Sequence, residues 1–408
     1  MSDTAVTSAG VFGAQPPPGP ADLVQLLTPE GERVHHPVYS PLVEHLSPDD
    51  LRGLYRDLVC VRAIDLEATA LQRQGELGLW VSLLGQEAAQ IGSGRALRHQ
   101  DMAFPGYREH GVAWCRGLDL VEVLRMFRGN THGGWDPREH NFHLYTIVIG
   151  NQNLHATGYA MGVQRDGAVG TGDPQRDTAV IAYFGDGATA QGDVNEGFVF
   201  ASVANAPVVF FCQNNQWAIS EPNDRQTRIP LYRRASGFGF PGIRVDGNDV
   251  LATLAVTTEA LDRARAGEGP TLIEAFTYRM AAHTTSDDPS RYRFEAEVEE
   301  WRFKDPIARF KAYLARTGAA DTPWFDQIDT EARELAARVR AELLATPDPH
   351  PDSMFEHVYH EPHPLVAEER AWFAAYREQF EDVRTGSRGG SPGAANPDLP
   401  APGNGDPR

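Results

Sequence analysis

Residues 178–220 have the sequence TAVIAYFGDGATAQGDVNEGFVFASVANAPVVFFCQNNQWAIS, from which the class of fold can be predicted. Its two short apolar runs, Thr178–Phe184 and Pro207–Gln213, are typical of buried parallel strands. Gly185-Asp186-Gly187 ends the first run, and the residues from about Gln191 to Ala204 favour a helix. A strand, a helix and a second strand in this order predict a parallel βαβ unit.

The same alternation continues on both sides of this unit. Two further strands are predicted at Ile243–Val245 and Thr271–Phe276, with a helix from Val250 to Ala266 between them. Upstream, Ser47-Pro48-Asp49-Asp50 has the residues of a helix N-terminus, and the helix should run to about Arg73. The sequence therefore predicts an α/β fold with a mostly parallel sheet and helices on both faces.

Composition limits the classes of function. The 408 residues include 37 basic and 56 acidic side chains, a net charge of −19, which argues against binding to nucleic acid or to an anionic membrane surface. No apolar run approaches the roughly 18 to 20 residues of a membrane helix. The N-terminus lacks a basic start followed by an apolar stretch, so we expect a cytoplasmic protein.

Composition shifts and periodicity divide the chain into five segments. The Gly-, Pro- and Ala-rich ends are expected to be disordered tails, and the helical periodicity after Asp305 predicts a C-terminal helical cap. The expected segments are a tail at 1–20, an extended arm at 21–46, an α/β domain at 47–315, a helical cap at 316–383 and a tail at 384–408.

Polar side chains follow two neighbouring strands of the predicted sheet. Asp186 comes directly after the first strand, and Asn215 follows the next one. Open α/β sheets bind ligands at the carboxyl edge of their strands. A carboxylate, an amide oxygen and the backbone carbonyl of Trp217 are hard oxygen ligands that suit Mg²⁺ holding a diphosphate.

The Gly-Asp-Gly and Asn-Asn pair resembles the thiamine diphosphate signature, and the similarity extends from about Leu51 to Leu314. Over this range the chain resembles the alpha subunit of the decarboxylating component of 2-oxo acid dehydrogenase complexes. The motifs that carry the resemblance are LQRQGELG at 71–78, GQEAAQ at 85–90, FPGYREHG at 104–111, IVIGNQ at 147–152, YFGDGATAQGDVNEGFVFA at 183–201, CQNNQWAIS at 212–220, RVDGNDV at 244–250, GPTLIEAFTYR at 269–279 and HTTSDDPSRYR at 283–293. The resemblance implies a thiamine diphosphate-binding fold and both cofactors, thiamine diphosphate and Mg²⁺.

The resemblance also assigns roles to individual positions. It implies that the Mg²⁺ ligands are Asp186, Asn215 and the carbonyl of Trp217. The implied cofactor-binding residues are Tyr107, Arg108, Ile147, Ile149, Gly187, Ala188, Gln213 and His283. Ile149 matches the apolar residue that bends the cofactor. Gln213 stands where some relatives have an arginine, so one diphosphate contact is expected to be weaker here.

His283 is the implied catalytic residue. It opens the polar loop HTTSDD and matches a family histidine beside the reacting carbon, which suits a proton donor or an oxyanion partner. In regulated relatives the hydroxyl residue after this histidine is phosphorylated, and Thr284 occupies that position here.

The resemblance implies an oxidative decarboxylation with acyl transfer to a lipoyl group. The expected partners are a beta subunit, in an α2β2 heterotetramer, and a lipoyl-bearing acyltransferase. The catalytic glutamate of this family belongs to the beta subunit, so the chain alone is expected to be inactive. The IVIGNQ form favours pyruvate as substrate, with 3-methyl-2-oxobutanoate as the alternative.

Two other classes of protein stay open. A non-catalytic nucleotide- or anion-binding module could use the same sheet edge. A complete thiamine enzyme of the transketolase or acetolactate type would need a second, pyrimidine-binding domain in the same chain, and the sequence offers none.

Overall fold

The computed structural model describes residues 23–131 and 133–385, with side chains up to residue 380. The predicted tails at 1–20 and 384–408 lie outside the described residues, apart from 384 and 385, which end the last helix.

A parallel sheet forms the centre of the fold. The strands of the described residues are β1 Met102–Phe104, β2 Val180–Gly185, β3 Val208–Asn214, β4 Trp217–Ala218, β5 Glu221–Pro222, β6 Gly242–Asp246 and β7 Thr271–Phe276. Five of them form one sheet in the order β1-β2-β3-β7-β6, and every neighbouring pair is parallel. The short strands β4 and β5 form a separate antiparallel pair. The predicted mostly parallel sheet is confirmed.

The α-helices of the described residues lie before, between and after the strands along the chain. They are α1 Pro48–Arg73, α2 Glu87–Arg95, α3 His110–Cys115, α4 Leu120–Arg128, α5 Pro137–His140, α6 Asn151–Arg165, α7 Gly192–Ala204, α8 Asn223–Gln226, α9 Arg234–Phe238, α10 Val250–Arg265, α11 Glu295–Arg302, α12 Pro306–Thr317, α13 Thr322–Ala345 and α14 Pro364–Thr385. Short 3-10 helices lie at Ser40–Leu42, Asp186–Ala190, Leu231–Arg233, Pro289–Arg291 and Pro351–Phe355.

The sheet buries both of its faces, because successive side chains of a strand point to opposite sides. Along β2, Ile181 and Tyr183 join one apolar core with α1, α2 and α10. Val180 and Ala182 join a second core with α6 and α7. This arrangement explains the continuous apolar runs of β2 and β3, which are typical of doubly covered parallel strands.

Helix α1 begins as the sequence predicts. Ser47 accepts a hydrogen bond from the backbone N–H of Asp50, and Asp50 accepts one from the backbone N–H of Ser47, forming a capping box. The apolar face of α1 packs against α13, where the rings of Tyr55 and Phe325 lie 5.1 Å apart.

The segment before α1 is fastened to the end of the sheet. Val24 pairs with Val245 of β6, and the carboxylate of Asp249 accepts from the backbone N–H groups of Leu26 and Leu27 at 2.7 and 2.6 Å. The arm predicted at 21–46 thus includes a residue that extends the edge of the sheet.

The chain divides into two compact units, one ending at Pro347 and the other beginning at Asp348. In the second unit, the 3-10 helix Pro351–Phe355 packs on α14 through the rings of Phe355 and Phe373, 5.9 Å apart. The predicted boundary at 315/316 stays a prediction. In the part of the chain that the structure describes, no helix is both long and apolar enough to span a membrane.

Candidate functional site

The carboxyl ends of β2 and β3 open onto a cavity of about 250 Å³. The two strands are neighbours, with Gly185 opposite Gln213, so the residues that follow each strand lie at the same edge. Asp186 and Asn215, the residues just past these positions, both line the cavity. The sheet topology therefore brings together the two side chains that the sequence predicted as metal ligands.

Most of the predicted site residues meet in this cavity. Those that line it are Tyr107, Arg108, Ile149, Asp186, Gly187, Ala188, Gln213, Asn215, Trp217 and His283. Ile147 is not part of the lining, and 64 % of its surface is exposed. The structure thus joins segments that are far apart in sequence and leaves Ile147 outside.

Asp186 is a buried carboxyl at the start of a 3-10 helix. Its Oδ2 atom accepts a hydrogen bond from Nε2 of Gln226 at 2.9 Å, and its backbone carbonyl accepts from Thr189 at 2.7 Å. Burial raises the pKa of Asp186, and the bond from Gln226 opposes this shift. A cation bound beside the carboxylate would offset the cost of its burial.

Asn215 has its side-chain amide oriented by two neighbours. Its Oδ1 accepts from the backbone N–H of Trp217 at 3.2 Å, and its Nδ2 donates to Oε1 of Gln86 at 3.1 Å. The carbonyl of Trp217 accepts from Nη1 of Arg279 at 3.2 Å. Each oxygen can accept a second time, so both can still act as metal ligands.

The donor set fits Mg²⁺. Mg²⁺ is usually bound through one or two carboxylates together with phosphate oxygens and waters, and this edge offers one carboxylate with two neutral oxygens. Among the described residues, no group of three or more His, Cys, Asp or Glu side chains is arranged to hold a metal ion. The one carboxylate of the set is Asp186, which is fully enclosed at the cavity edge.

Gly187 lies where the loop after β2 packs closely against β4. A Cβ atom at this position would lie 2.7 Å from the Cβ of Ala218, a distance that van der Waals repulsion forbids. Glycine is therefore required by the packing of the loop after β2 against β4. Gly187 and the next residue, Ala188, both line the cavity.

His283 accepts from two guanidinium groups. Its Nδ1 atom lies 3.3 Å from Nη2 of Arg108 and 3.3 Å from Nη1 of Arg279. Burial, Arg108 and Arg279 lower the pKa of His283 to about 4. The imidazole is therefore neutral near pH 7, and because Nδ1 accepts, the ring proton lies on Nε2.

The loop after His283 is held by a chain of hydrogen bonds. The backbone N–H of His283 donates to Oδ2 of Asp287 at 2.8 Å, and the hydroxyl of Tyr292 donates to the same oxygen. Arg279 donates to the hydroxyl of Tyr292 at 2.9 Å, and Arg293 donates to the carbonyl of Arg279. These contacts fix the backbone from which the imidazole projects.

Arg108 is almost fully buried, and burial lowers the pKa of its guanidinium. Its Nη2 donates to the carbonyl of His283 at 3.0 Å, and its Nη1 donates to the carbonyl of Ser82. A buried guanidinium that has only neutral hydrogen-bond partners destabilises the folded protein, because its charge has lost its hydration. A bound anion would offset this cost in free energy. The cavity is thus suited to an anionic group beside Arg108.

Sequence reasoning missed several lining residues. Among them are Gln86, Glu109 and Gln152, which are almost fully buried. Glu109 accepts from Gln213 at 2.6 Å, and burial raises the pKa of its carboxyl. Gln86 and Glu109 lie within motifs that the resemblance uses, GQEAAQ and FPGYREHG, but the direction of a side chain cannot be read from such a motif.

Two of these residues carry amide atoms without partners. Nε2 of Gln86 and Oε1 of Gln152 are buried, and neither finds a hydrogen-bond partner among the described residues. Buried polar groups normally have such partners, so these atoms indicate that a polar ligand completes the site.

Comparison with known proteins agrees with this geometry. Residues 55–351 match a family model described as Dehydrogenase E1 component. The chain is 44 % identical over 352 residues to the 3-methyl-2-oxobutanoate dehydrogenase subunit alpha of Mycobacterium tuberculosis, covering 85 % of this chain and 92 % of the relative. It is 39 % identical over 326 residues to the pyruvate dehydrogenase E1 component subunit alpha of Staphylococcus epidermidis, covering 79 % of this chain and 83 % of the relative. The corresponding protein of Staphylococcus aureus gives the same identity and coverage.

Proposed function

The chain belongs to the dehydrogenase E1 component family, and we propose that its cavity is the diphosphate half of a thiamine diphosphate site. The chain is the alpha subunit of a 2-oxo acid dehydrogenase, as its relatives are. Its enzyme class is that of an oxidoreductase acting on 2-oxo acids, as the sequence predicted.

One observation carries the assignment of the site. Residues from five separated parts of the chain, around Arg108, Ile149, Asp186, Asn215 and His283, line one cavity at the carboxyl edge of a parallel sheet. That edge is where open α/β sheets bind phosphorylated ligands. The resemblance predicted each of these residues from a separate motif and gave no distances between them.

Different residues of the cavity lining would hold the metal and the diphosphate. The ligands proposed for Mg²⁺ are the Asp186 carboxylate, the Asn215 amide oxygen and the Trp217 carbonyl. Arg108 would supply the positive charge for the diphosphate, and the backbone of Gly187 and Ala188, which both line the cavity, would donate to its oxygens. Ile149, which is on the cavity wall, would contact the apolar part of the cofactor.

When bound, thiamine diphosphate supplies the carbon nucleophile and the electron sink for loss of carbon dioxide. His283 would orient and stabilise the reacting groups. Its imidazole is neutral, its ring proton lies on Nε2, and the two arginines at Nδ1 keep it in that form. A neutral imidazole can donate from Nε2 to an oxygen that gains negative charge.

The substrate is a 2-oxo acid, and two candidates are to be compared. The sequence motif favoured pyruvate, with 3-methyl-2-oxobutanoate as the alternative. The relative named for 3-methyl-2-oxobutanoate has the higher identity, 44 % against 39 %. We therefore propose 3-methyl-2-oxobutanoate as the preferred substrate and pyruvate as the alternative. Both acids should be compared in every assay.

The name "subunit alpha" implies a beta subunit as partner. We further propose that the partner completes the active site and that the acyl group passes to a lipoyl-bearing acyltransferase. The cavity lining of this chain includes one buried glutamate, Glu109, and its carboxyl is bonded to Gln213. The glutamate for cofactor activation would come from the partner.

Calorimetric titration tests the proposal. Thiamine diphosphate is titrated, with and without Mg²⁺, into the chain alone and into the chain co-purified with its beta subunit. We expect tight binding only for the assembled enzyme in the presence of Mg²⁺. An assembled enzyme that binds a nucleotide but not thiamine diphosphate would instead indicate a non-catalytic nucleotide- or anion-binding module.

A further inference from the structure

Gln86 lies at the cavity wall and immediately precedes α2. Its side chain is almost completely buried, and no role was expected for it from the sequence. Its Oε1 atom accepts from Nδ2 of Asn215 at 3.1 Å, whereas its Nε2 atom has no partner among the described residues. The residue thus contacts a proposed metal ligand and also carries an unused donor.

The orientation of both amides follows from one backbone group. The N–H of Trp217 can only donate, so the atom of Asn215 that it meets must be the oxygen Oδ1. Nδ2 of Asn215 therefore faces Gln86, and the atom of Gln86 that it meets must be Oε1. Nε2 of Gln86 is then the atom turned away from Asn215.

The backbone around Gln86 is held firmly. Its N–H donates to the carbonyl of Leu83 at 2.8 Å, and the carbonyl of Gly85 accepts from Thr277 at 2.8 Å. Gly85 has a φ of +93°, and a Cβ there would lie 2.5 Å from the carbonyl oxygen of Tyr278. The amide of Gln86 is consequently presented from a backbone with little freedom to move.

A buried N–H without a partner destabilises the folded chain, and a ligand oxygen that accepts from it would offset this cost. We propose that Gln86 is a further binding and positioning residue, which keeps Oδ1 of Asn215 turned to Mg²⁺ and donates from Nε2 to a phosphate oxygen of the cofactor. This inference rests on the proposed function. A phosphate oxygen is the acceptor because Gln86 directly contacts a proposed ligand of the metal that would hold the diphosphate.

Two substitutions separate the two parts of this role. Gln86→Glu keeps an acceptor for Asn215 but replaces the donor by a carboxylate. Gln86→Leu removes both the acceptor and the donor at similar volume. Gln175→Leu, in an exposed loop, is the matched control.

The experiment is calorimetry on the assembled enzyme, with thiamine diphosphate, Mg²⁺ and inorganic pyrophosphate as probes. Both Gln86 variants should bind thiamine diphosphate and Mg²⁺-pyrophosphate about tenfold or more weakly, since each loses a hydrogen bond to a charged group. Only Gln86→Leu should raise the Mg²⁺ concentration needed for half-saturation. Gln175→Leu should bind as the unmodified enzyme does, and melting curves establish that each variant is folded.

The outcomes separate this inference from the proposed function. If the unmodified assembled enzyme does not bind thiamine diphosphate, the proposed function fails. If it binds but both Gln86 variants bind equally well, the role of Gln86 is overturned. If the variants bind thiamine diphosphate more weakly but bind pyrophosphate as the unmodified enzyme does, Nε2 does not donate to a phosphate oxygen. An unchanged Mg²⁺ requirement in Gln86→Leu would overturn the positioning of Asn215.

Discussion

Nη2 of Arg108 lies 3.3 Å from Nδ1 of His283 and 3.0 Å from the His283 carbonyl oxygen. One guanidinium therefore fixes both the ring and the backbone of the proposed catalytic histidine. Because Arg279 donates to the same ring nitrogen, the imidazole is held neutral between two positive charges. An anion bound beside Arg108 would thus be linked directly to the orientation of His283.

Replacement of Asp186 tests the metal site. In the assembled enzyme, Asp186→Ala should weaken Mg²⁺-dependent binding of thiamine diphosphate by on the order of 100-fold or more. Loss of a residue that contacts only a ligand of the metal already lowers metal affinity or activity about 10- to 100-fold, and Asp186 is proposed as a direct ligand. The measurement is calorimetric titration of the cofactor at several Mg²⁺ concentrations. Asp166→Asn, at an exposed position, is the control and should bind normally. Equal affinity in Asp186→Ala and the control would remove Asp186 from the metal site.

Gly187 tests the packing of the loop after β2. Gly187→Ala places a Cβ 2.7 Å from that of Ala218, so the loop must shift at a cost of about 1–3 kcal/mol. We expect a lower melting temperature and weaker cofactor binding. Gly192→Ala is the matched control, because a Cβ there meets nothing within 4 Å. Identical cofactor affinity in the two variants would mean that no close backbone approach is needed at Gly187.

The loop that carries His283 depends on one carboxylate. Asp287→Asn weakens the bonds that Asp287 accepts from the His283 backbone and from the Tyr292 hydroxyl, so kcat should fall about tenfold. Limited proteolysis should show faster cleavage within residues 283–293. The neighbouring Asp288 is exposed, and among the described residues its carboxylate bonds only within its own turn, to Ser290 and Arg291. Asp288→Asn should therefore change neither quantity, and equal effects of the two substitutions would contradict this role.

The lowered pKa of His283 predicts a dependence of stability on pH. An unfolded histidine takes up a proton as pH falls through about 6.5, whereas folded His283 takes one up only near its pKa of about 4. The unfolded state therefore binds more protons between these values, and stability falls as pH drops from 6.5 towards 4. Above pH 6.5 this contribution is fully present.

His283→Gln removes that dependence. Between pH 7.5 and 5, the melting temperature of the assembled enzyme without cofactor should fall roughly 1–3 °C less in this variant than in the unmodified enzyme. The measurement is a series of thermal melts in buffers of constant ionic strength. His357→Gln, at an exposed position, should behave as the unmodified enzyme. If the melting temperatures of His283→Gln and the unmodified enzyme fall equally with pH, His283 has an ordinary pKa in the folded protein.

Much of the fold could be predicted because local patterns and tertiary structure agree. The apolar runs before Gly185 and Asn214 are long enough to identify strands, and the helix predicted from Val250 to Ala266 is α10, Val250–Arg265. The edge strand β1 has only three residues, Met102–Phe104, which is too short to give a periodic signal. Helix α6 was missed, because its apolar residues give no clear stripe along Asn151–Arg165.

For the site, the sequence predicted residue types but not contacts. Asp186 and Asn215 could be placed at one edge because neighbouring parallel strands end together. The contact of Arg108 with His283 could not be predicted, since it requires the loops before α3 and after β7 to meet. Gln86 illustrates the same limit, because its role depends on which atom of Asn215 faces it.

The most direct test of the central claim is release of carbon dioxide from 2-oxo acids by purified protein. The chain alone and the chain co-purified with its beta subunit are each assayed with 3-methyl-2-oxobutanoate and pyruvate, with Mg²⁺, thiamine diphosphate and an artificial electron acceptor. We predict turnover of at least one acid by the assembled enzyme, none by the chain alone, and none by the assembled Asp186→Ala variant. Robust turnover by the chain alone, or full activity of the assembled Asp186→Ala enzyme, would contradict the account.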